Sequence, residues 1–193
     1  GPDLFVTYDR LGSPAPFPVD VAVRVAALPG ASRAIPRITG RALVAGRVVQ
    51  IVGEDGLDPL MHAALTEGRV PRAGAPEAVV GAALAGEGPA LGRRIAIEAF
   101  QTRVLEVVGV MDAAAPLATS RVVATSFDTA RSLFDEDGPT EILHWVDAAR
   151  RADVVAAALA LSPRVRVRER DLWSGIAARG SQLKAGAVMA LFS

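Results

Sequence analysis

The sequence predicts an α+β domain in which short strands alternate with short helices. Apolar residues make up 51% of the 193-residue chain, which is enough to form a buried core. Runs rich in valine and isoleucine recur along the chain between glycines and prolines, a pattern typical of strands. Alanine-rich runs lie among them and favour helices. The chain has no cysteine, so this core forms without disulfides or cysteine-bound metal.

The N-terminal part of the chain predicts the order strand, helix, strand, strand. Leu4–Tyr8 has the β-branched and aromatic content of a strand, and a proline-rich turn over Ser13–Pro18 follows it. A short apolar helix is expected over Val19–Leu28, ended by Pro29-Gly30. The next two strands, joined by Ala45-Gly46 in a tight hairpin, are Ala34–Val44 and Arg47–Val52.

The middle of the chain is rich in glycine, proline and alanine from Glu54 to Gly92. The two short helices predicted there are Pro59–Glu67 and Glu77–Ala85. A second sheet is expected to follow, and its strands are Arg94–Phe100, Arg103–Met111 and Arg121–Thr125. Ser126 or Asp128 is expected to cap a helix that runs to Phe134. The change in composition predicts a boundary near Gly56.

The C-terminal part returns to the order strand, helix, strand after a linker at Glu136–Pro139. The three elements are Glu141–Val146, Arg150–Leu161 and Arg164–Arg170. Two β-α-β units therefore flank a β-rich insertion, which predicts a ferredoxin-like subdomain built from both ends of the chain. This subdomain comprises residues 3–55 and 138–171, and the insertion comprises residues 56–137.

A long helix is expected over residues 172–193. Its last part, Ala185–Phe192, is wholly apolar but shorter than the roughly 20 residues that a membrane span requires. Two interpretations stand side by side: a stalk helix leading into a truncated transmembrane segment, or a buried C-terminal helix.

Histidine is the most frequent general base and a common metal ligand, and the chain has two. His62 follows Met61 on a predicted helix. A Met-His pair is too small a ligand set for copper, so a partly buried structural role is expected. His144 alternates with Ile142 and Val146 along a strand and is expected to pack rather than to catalyse. The sequence therefore predicts no catalytic residue, no cofactor-binding residue and no metal ligand.

Two charged runs have structural explanations. Asp135–Asp137 precedes Gly138-Pro139 and lacks the spacing of a calcium loop, so a solvated turn is expected. The four arginines of Arg164–Arg170 occupy alternate positions, which puts them on one face of a strand. That stripe either meets an anionic partner or forms the solvent face of an edge strand, and the second is favoured.

Nucleotides and nucleic acids are not expected as ligands. The glycine-containing stretch Val79–Gly88 matches neither the P-loop nor the dinucleotide fingerprint. The 21 lysines and arginines balance the 21 acidic residues, so the chain has no general attraction for phosphate backbones or acidic lipid.

A series of short motifs follows one order along almost the whole chain. The motifs are Leu28-Pro-Gly-Ala-Ser32, Ile35-Pro-Arg-Ile-Thr-Gly40, Val48-Val-Gln-Ile-Val-Gly53, Glu67-Gly-Arg-Val-Pro71, Glu77–Ala85, Leu91-Gly-Arg-Arg-Ile95, Val107-Val-Gly-Val110 and Val122–Phe134. Together with the apolar C-terminal run, this order resembles the extracytoplasmic core domain of MacB/FtsX-like ABC transporter permeases, a superfamily that includes the LolC and LolE proteins. The resemblance favours the truncated-span interpretation.

The resemblance implies a porter-like subdomain before about Gly56 and after about Gly138, an inserted Sabre-like subdomain, and a stalk helix. It implies a non-catalytic periplasmic domain of an inner-membrane permease that couples cytoplasmic ATP hydrolysis to the handling of a lipoprotein, lipid or peptide. The implied partners are the chain's own transmembrane segments, a second permease subunit and a cytoplasmic ATPase subunit, with a periplasmic adaptor or chaperone as an additional candidate. No cofactor is implied.

Two other functions stay open at this point. A freestanding extracytoplasmic binding or adaptor module without membrane spans is the alternative, and its terminal helix packs on its own sheet. An enzyme is the third and least favoured option, because the histidines look isolated and no nucleophile motif is present. A deep polar cleft holding His62 or His144 with carboxylates would favour it.

Overall fold

The computed structural model describes residues 1–55, 62–112 and 121–170. Within these ranges the chain forms eleven strands and four α-helices, so the predicted α+β class is confirmed, with sheet making up most of the fold. The strands are β1 Leu4–Arg10, β2 Ser13–Ala15, β3 Ala31–Val44, β4 Arg47–Gly53, β5 Leu65–Gly68, β6 Glu77–Gly81, β7 Arg94–Glu98, β8 Thr102–Met111, β9 Val122–Thr125, β10 Glu141–Val146 and β11 Val165–Glu169. The helices are α1 Val19–Ala26, α2 Ala82–Gly86, α3 Phe127–Phe134 and α4 Arg151–Leu161.

Four strands form an antiparallel sheet in the order β11-β1-β10-β3. The connections β1-α1-β3 and β10-α4-β11 make this a split βαβ arrangement with two helices on one face. Alternate residues of each strand point into the core between sheet and helices, because successive side chains of a strand face opposite sides. The core includes Leu4, Val6, Ile142 and Val146 from the strands and Val21, Val25, Val154 and Ala158 from the helices. We call this part the α/β layer.

Five further strands join β3 in a six-stranded barrel, while β2 pairs with β1 and β5 pairs with β8 outside this ring. The second half of β3 pairs with β4, β4 with β9, β9 with β6, β6 with β8, and β8 with β7. The ring closes where β7 returns to β3 through the pairs Leu43–Glu98 and Val44–Ile97. The barrel interior is apolar and includes Ile38, Val49, Ile51, Val80, Ile97, Leu105 and Val107, while Ala130 and Leu133 of α3 pack against it.

Strand β3 belongs to both parts of the molecule. Its first half, 31–37, pairs with β10 in the α/β layer, and its second half, 38–44, pairs with β4 in the barrel. The predicted boundary near Gly56 stays a prediction, as do the porter-like and Sabre-like subdomains. The parallel pairing of β4 with β9 places strands from both sides of that boundary in one sheet.

Several local predictions are confirmed. Ala45-Gly46 joins β3 to β4, and both residues have positive φ, 50° and 74°, as a type I′ hairpin turn requires. Ser126 caps α3, its Oγ accepting the backbone N–H of Thr129 at 3.3 Å.

Two predicted helices are only partly correct within the described residues, since residues 62–63 and 82–85 are helical but other parts of both are strand. Glu77–Gly81 is strand β6, paired on both sides and wholly buried, and α2 begins only at Ala82. A strand buried on both faces is apolar throughout, so its sequence lacks the alternation that separates strand from helix. The end of the predicted helix Pro59–Glu67 is strand β5, and β2 lies inside the expected proline-rich turn.

The predicted C-terminal helix over 172–193, with its apolar run, lies outside the described residues. Among the helices that are described, none combines the length and the apolar character needed to cross a membrane.

Candidate functional site

A buried ionic network joins the two parts of the molecule where β3 passes from one to the other. Arg37 of β3 donates from Nε to Glu141 Oε2 of β10 at 2.7 Å, and its Nη1 lies 4.0 Å from Oε2 of Glu54, just after β4. Arg168 of β11 adds a second cation, 3.3 Å from Glu141 Oε1. Arg37, Glu54 and Glu141 are each at most 5% exposed. The network therefore connects the α/β layer to the end of a barrel strand.

A groove runs beside this junction, between α1 and the beginning of α3. It consists of two adjoining cavities of about 360 and 260 Å³. The residues common to both are Ala22, Val23, Phe127 and Pro139, so the two cavities form one continuous groove. Phe17, just before α1, donates its N–H to the carbonyl of Pro139 at 2.8 Å. This bond holds one side of the groove against the segment that leads into β10.

Helix α1 is apolar on two faces. Val21 and Val25 are buried in the core of the α/β layer. Val19 and Val23, on the groove side, are 66% and 62% exposed. The helix therefore has an apolar face that the described part of the chain leaves open.

The rim of the groove is acidic. Asp55, Asp128 and Asp137 line it, against the single cation Arg131. Arg131 lies 3.8 Å from Asp128, whereas neither Asp55 nor Asp137 forms an ion pair within the described residues. Asp55 accepts the backbone N–H of Phe127 at 3.2 Å. Asp137 ends the run Asp135–Asp137, where burial and then the charges of Asp137 and Asp135 raise the pKa of Glu136. As predicted, this run lies in a turn, after α3.

The two histidines lie in different surroundings, and neither forms a cluster with carboxylates among residues 1–55, 62–112 and 121–170. His144 is fully buried beside Leu4 and Ala34, and neither ring nitrogen has a hydrogen-bond partner among the described residues. Burial lowers the pKa of His144 to about 4, so the ring is neutral at pH 7. His62 is exposed, so the expectation that it is partly buried is wrong. It lies in the short segment that precedes strand β5.

Two acidic side chains of the inserted segment, Glu77 and Glu87, each bind two arginines. Glu77, at the start of β6, accepts hydrogen bonds from the guanidinium groups of Arg69 and Arg72 at 2.6–3.1 Å. These bonds hold the pKa of Glu77 well below its usual range. Glu87 joins Arg47 and Arg121 in the same manner, and the Arg121 bond is the largest cause of its lowered pKa. In the ranges described, no group of three or more His, Asp or Glu residues is placed to hold a metal ion.

The arginine stripe lies on β11, an edge strand, as predicted. Its arginines are exposed, whereas Val165 is buried. Arg166 lies 3.7 Å from Asp9 and Arg170 lies 3.2 Å from Asp3. Because acidic partners of the same layer face these charges, the stripe is not a free cationic surface.

Sequence reasoning missed the groove. It identified α1 as a short apolar helix without separating the core face, Val21 and Val25, from the second face, Val19 and Val23. The signal was present, because valines at every second position of an eight-residue helix must fall on both of its sides. The partner wall at Phe127 and Pro139 comes from distant parts of the chain and carries no local signal.

Comparison with known proteins finds similar solved structures but no match to a protein-family model or a curated protein. The extracellular domain of the noncanonic ABC-type transporter YknZ from Gram-positive bacteria is similar in structure, with a TM-score of 0.66, 12% identity and coverage of 87% of this chain and 99% of that one. The periplasmic region of MacB from Actinobacillus actinomycetemcomitans is similar with a TM-score of 0.63, 10% identity and coverage of 91% and 92%.

The chain has the fold of these extracytoplasmic transporter domains. The resemblance to MacB-like domains predicted from the sequence is confirmed at the level of the fold. Within this MacB-like fold, the buried network and the groove lie together at the junction between α/β layer and barrel, which makes the junction the candidate functional site.

Proposed function

We propose that the chain is the non-catalytic extracytoplasmic domain of an ABC transporter permease. The observation that carries the proposal is the likeness in fold to the YknZ and MacB domains, which extends over 99% and 92% of their lengths. In this proposal the parent protein lies in the inner membrane with this domain on the periplasmic side. Its partners are its own transmembrane segments, a second permease subunit and a cytoplasmic ATPase subunit.

The role that we propose is to couple ATP hydrolysis in the cytoplasm to the handling of a lipoprotein, lipid or peptide outside the membrane. Such coupling needs a domain that moves as one body, because displacement is transmitted through packed contacts. Strand β3 supports this role, since it is continuous through α/β layer and barrel over 14 residues. The buried pair of Arg37 and Glu141 supports it as well, since it braces β3 against β10 at the crossing point.

We assign the α/β layer to the porter-like subdomain and the barrel to the Sabre-like subdomain. The split βαβ order β11-β1-β10-β3 supports the first assignment, and the closed ring inserted between β3 and β10 supports the second. In both assignments the junction is the part that a displacement must cross.

Membrane topology tests the proposal. The parent protein is expressed in bacteria as fusions that end after residue 170, carrying either alkaline phosphatase, which is active only outside the cytoplasm, or a fluorescent protein that matures only inside it. We expect active phosphatase, no fluorescence, membrane fractions that resist carbonate washing, and co-purification of an ATPase with the full-length protein. Inactive phosphatase would contradict the proposal. Active phosphatase in a protein that washes off the membrane would favour the adaptor module instead.

A further inference from the structure

Helix α1 has an apolar surface that lacks a cover within the described chain. Six of its eight residues are apolar, and those on the groove side, Val19 and Val23, are more than 60% exposed. The Asp20–Arg24 pair occupies a third side of the helix. An apolar face is normally buried, because burying each Å² of apolar surface gains roughly 25 cal/mol. Phe127, across the groove, is half-buried and extends the same apolar surface. The groove therefore has the character of a contact surface.

The shape of the groove matches a helix. Its walls are α1 and the first turn of α3, and its two cavities follow one another along α1. An eight-residue helix is about 12 Å long, which corresponds to roughly two turns of a docked helix with apolar residues at positions i, i+3 or i+4, and i+7. A groove that is open along its length suits side chains of a partner better than a small molecule, which is usually largely enclosed.

The charge of the groove specifies the partner's polar residues. Asp55 and Asp137 stand at opposite ends, and neither forms an ion pair within the described residues. The repulsion at Glu136, whose pKa is raised partly by its two neighbours, shows that negative charge accumulates at the Asp137 end. Lysine or arginine near either end of a docked helix would relieve this repulsion.

We propose that this groove binds a basic amphipathic helix of a partner protein outside the membrane. The apolar stripe of that helix packs on Val19, Val23 and Phe127, and its basic residues face Asp55 and Asp137. The inference rests on the proposed function only in placing the partner outside the membrane.

The test uses two synthetic 16-residue peptides and the 193-residue chain. Both peptides carry leucine at i, i+3, i+4 and i+7; one has lysine at the flanking positions and the other has glutamate. Binding is measured by titration calorimetry at low and high salt. We expect the lysine peptide to bind at least tenfold more tightly than the glutamate peptide, with a weaker preference at high salt. Equal binding of the two peptides would overturn the proposal.

Three variants locate the binding. Val23→Glu is expected to weaken the binding of the lysine peptide at least tenfold. Asp137→Lys is expected to reverse the preference, so that the glutamate peptide binds more tightly than the lysine peptide. Val48→Glu is the matched control, because Val48 is 59% exposed against 62% for Val23 but lies on the barrel. An equal loss with Val48→Glu would overturn the proposal, since binding would then not be located in the groove.

A second copy of the chain is the competing occupant. Sedimentation of the chain and of Val23→Glu decides this point: a dimer that the substitution dissociates would overturn the proposal, and a monomer in both cases supports it. Failure of these tests leaves the topology result untouched, so the two proposals stand or fall separately.

Discussion

Within the described residues, the barrel pairs six strands in a closed ring, while the α/β layer has β11 at an open edge and an exposed apolar face on α1. The difference extends to polar groups. The barrel's buried carboxylate, Glu77, is held by two arginines, whereas the layer's buried His144 has no partner among the described residues. The barrel thus pairs its strands in a ring and its buried carboxylate with arginines, whereas the α/β layer retains an apolar helix face that another molecule can cover.

The largest effect is expected at the junction between the two parts. Arg37→Met removes the cation that faces Glu141 and Glu54, both of which are buried. Removing one partner of a buried ion pair costs about 3–5 kcal/mol, so urea unfolding should show a loss of that size even though Arg168 still faces Glu141. Adding Glu141→Gln should recover part of the loss. A change below about 1 kcal/mol would mean that the network does not hold the two parts together.

The next largest effect is expected where α3 packs on the barrel. A Cβ at Gly53 would lie 2.0 Å from Cβ of Ala130 and 3.2 Å from the carbonyl oxygen of Ser126. Gly53→Ala should therefore displace α3 and reduce the free energy of unfolding by about 3 kcal/mol. Gly86→Ala is the control, since a Cβ there meets nothing within 4 Å. Equal stability of the two variants would show that α3 is not seated closely on the sheet.

The α/β layer is expected to respond to acid through His144. Its pKa is lowered from 6.5 to about 4, so the unfolded chain binds the proton more tightly. The contribution is fully present above pH 6.5 and is lost as the pH falls toward 4, amounting to about 2 kcal/mol between pH 7 and pH 5. His144→Leu should remove this pH dependence without loss of stability at pH 7, because the ring nitrogens are unpaired.

Urea unfolding at pH 7 and pH 5 measures the effect. His62→Leu is the control, because His62 is exposed and its replacement should leave the pH dependence unchanged. A pH dependence that survives in His144→Leu would mean that other groups of the layer produce it.

The smallest effect is expected at Glu77, the carboxylate bound by Arg69 and Arg72 at the start of β6. Glu77→Gln keeps the shape of the side chain but removes the charge that faces Arg69 and Arg72, and should cost about 1–2 kcal/mol at pH 7. Because the pKa of Glu77 is lowered, its stabilising charge is present above pH 4.5 and is lost as the pH falls below that value. Thermal unfolding should show wild type and variant converging in acid. Glu67→Gln, at an exposed position, is the control.

Local sequence patterns predicted most elements of the α/β layer but not the closure of the barrel. Glu141–Val146 was predicted to the residue, and the alternating arginines and valines before Arg170 correctly indicated an edge strand. Strand β6 was mistaken for a helix because burial on both faces removes the alternation. The ring depends on two residue pairs between β3 and β7, far apart in sequence, for which no local pattern exists.

In the candidate site, too, local sequence patterns predict single elements but not the contacts between distant parts of the chain. The apolar positions of α1 were visible, but Arg37, Glu54 and Glu141 are brought together by β3, β4 and β10, and nothing in the spacing of these residues predicts their contact. The acidic turn before Gly138 was predicted correctly as a turn. Its place at one end of a groove follows only from the packing of α1 beside α3.

Distances between spin labels in the reconstituted ABC transporter that we propose test most directly the claim that the domain moves as one body. These 193 residues contain no cysteine, so once any cysteines elsewhere in the transporter are replaced, labels attach only at Val48→Cys on the barrel and Leu159→Cys on α4, which are 59% and 48% exposed. The account predicts that the distance between the two labels within one domain stays constant between nucleotide-free and ATP-bound states, while the distance between Val48 labels of two subunits changes. A changing distance within the domain, or a constant distance between subunits, would contradict it.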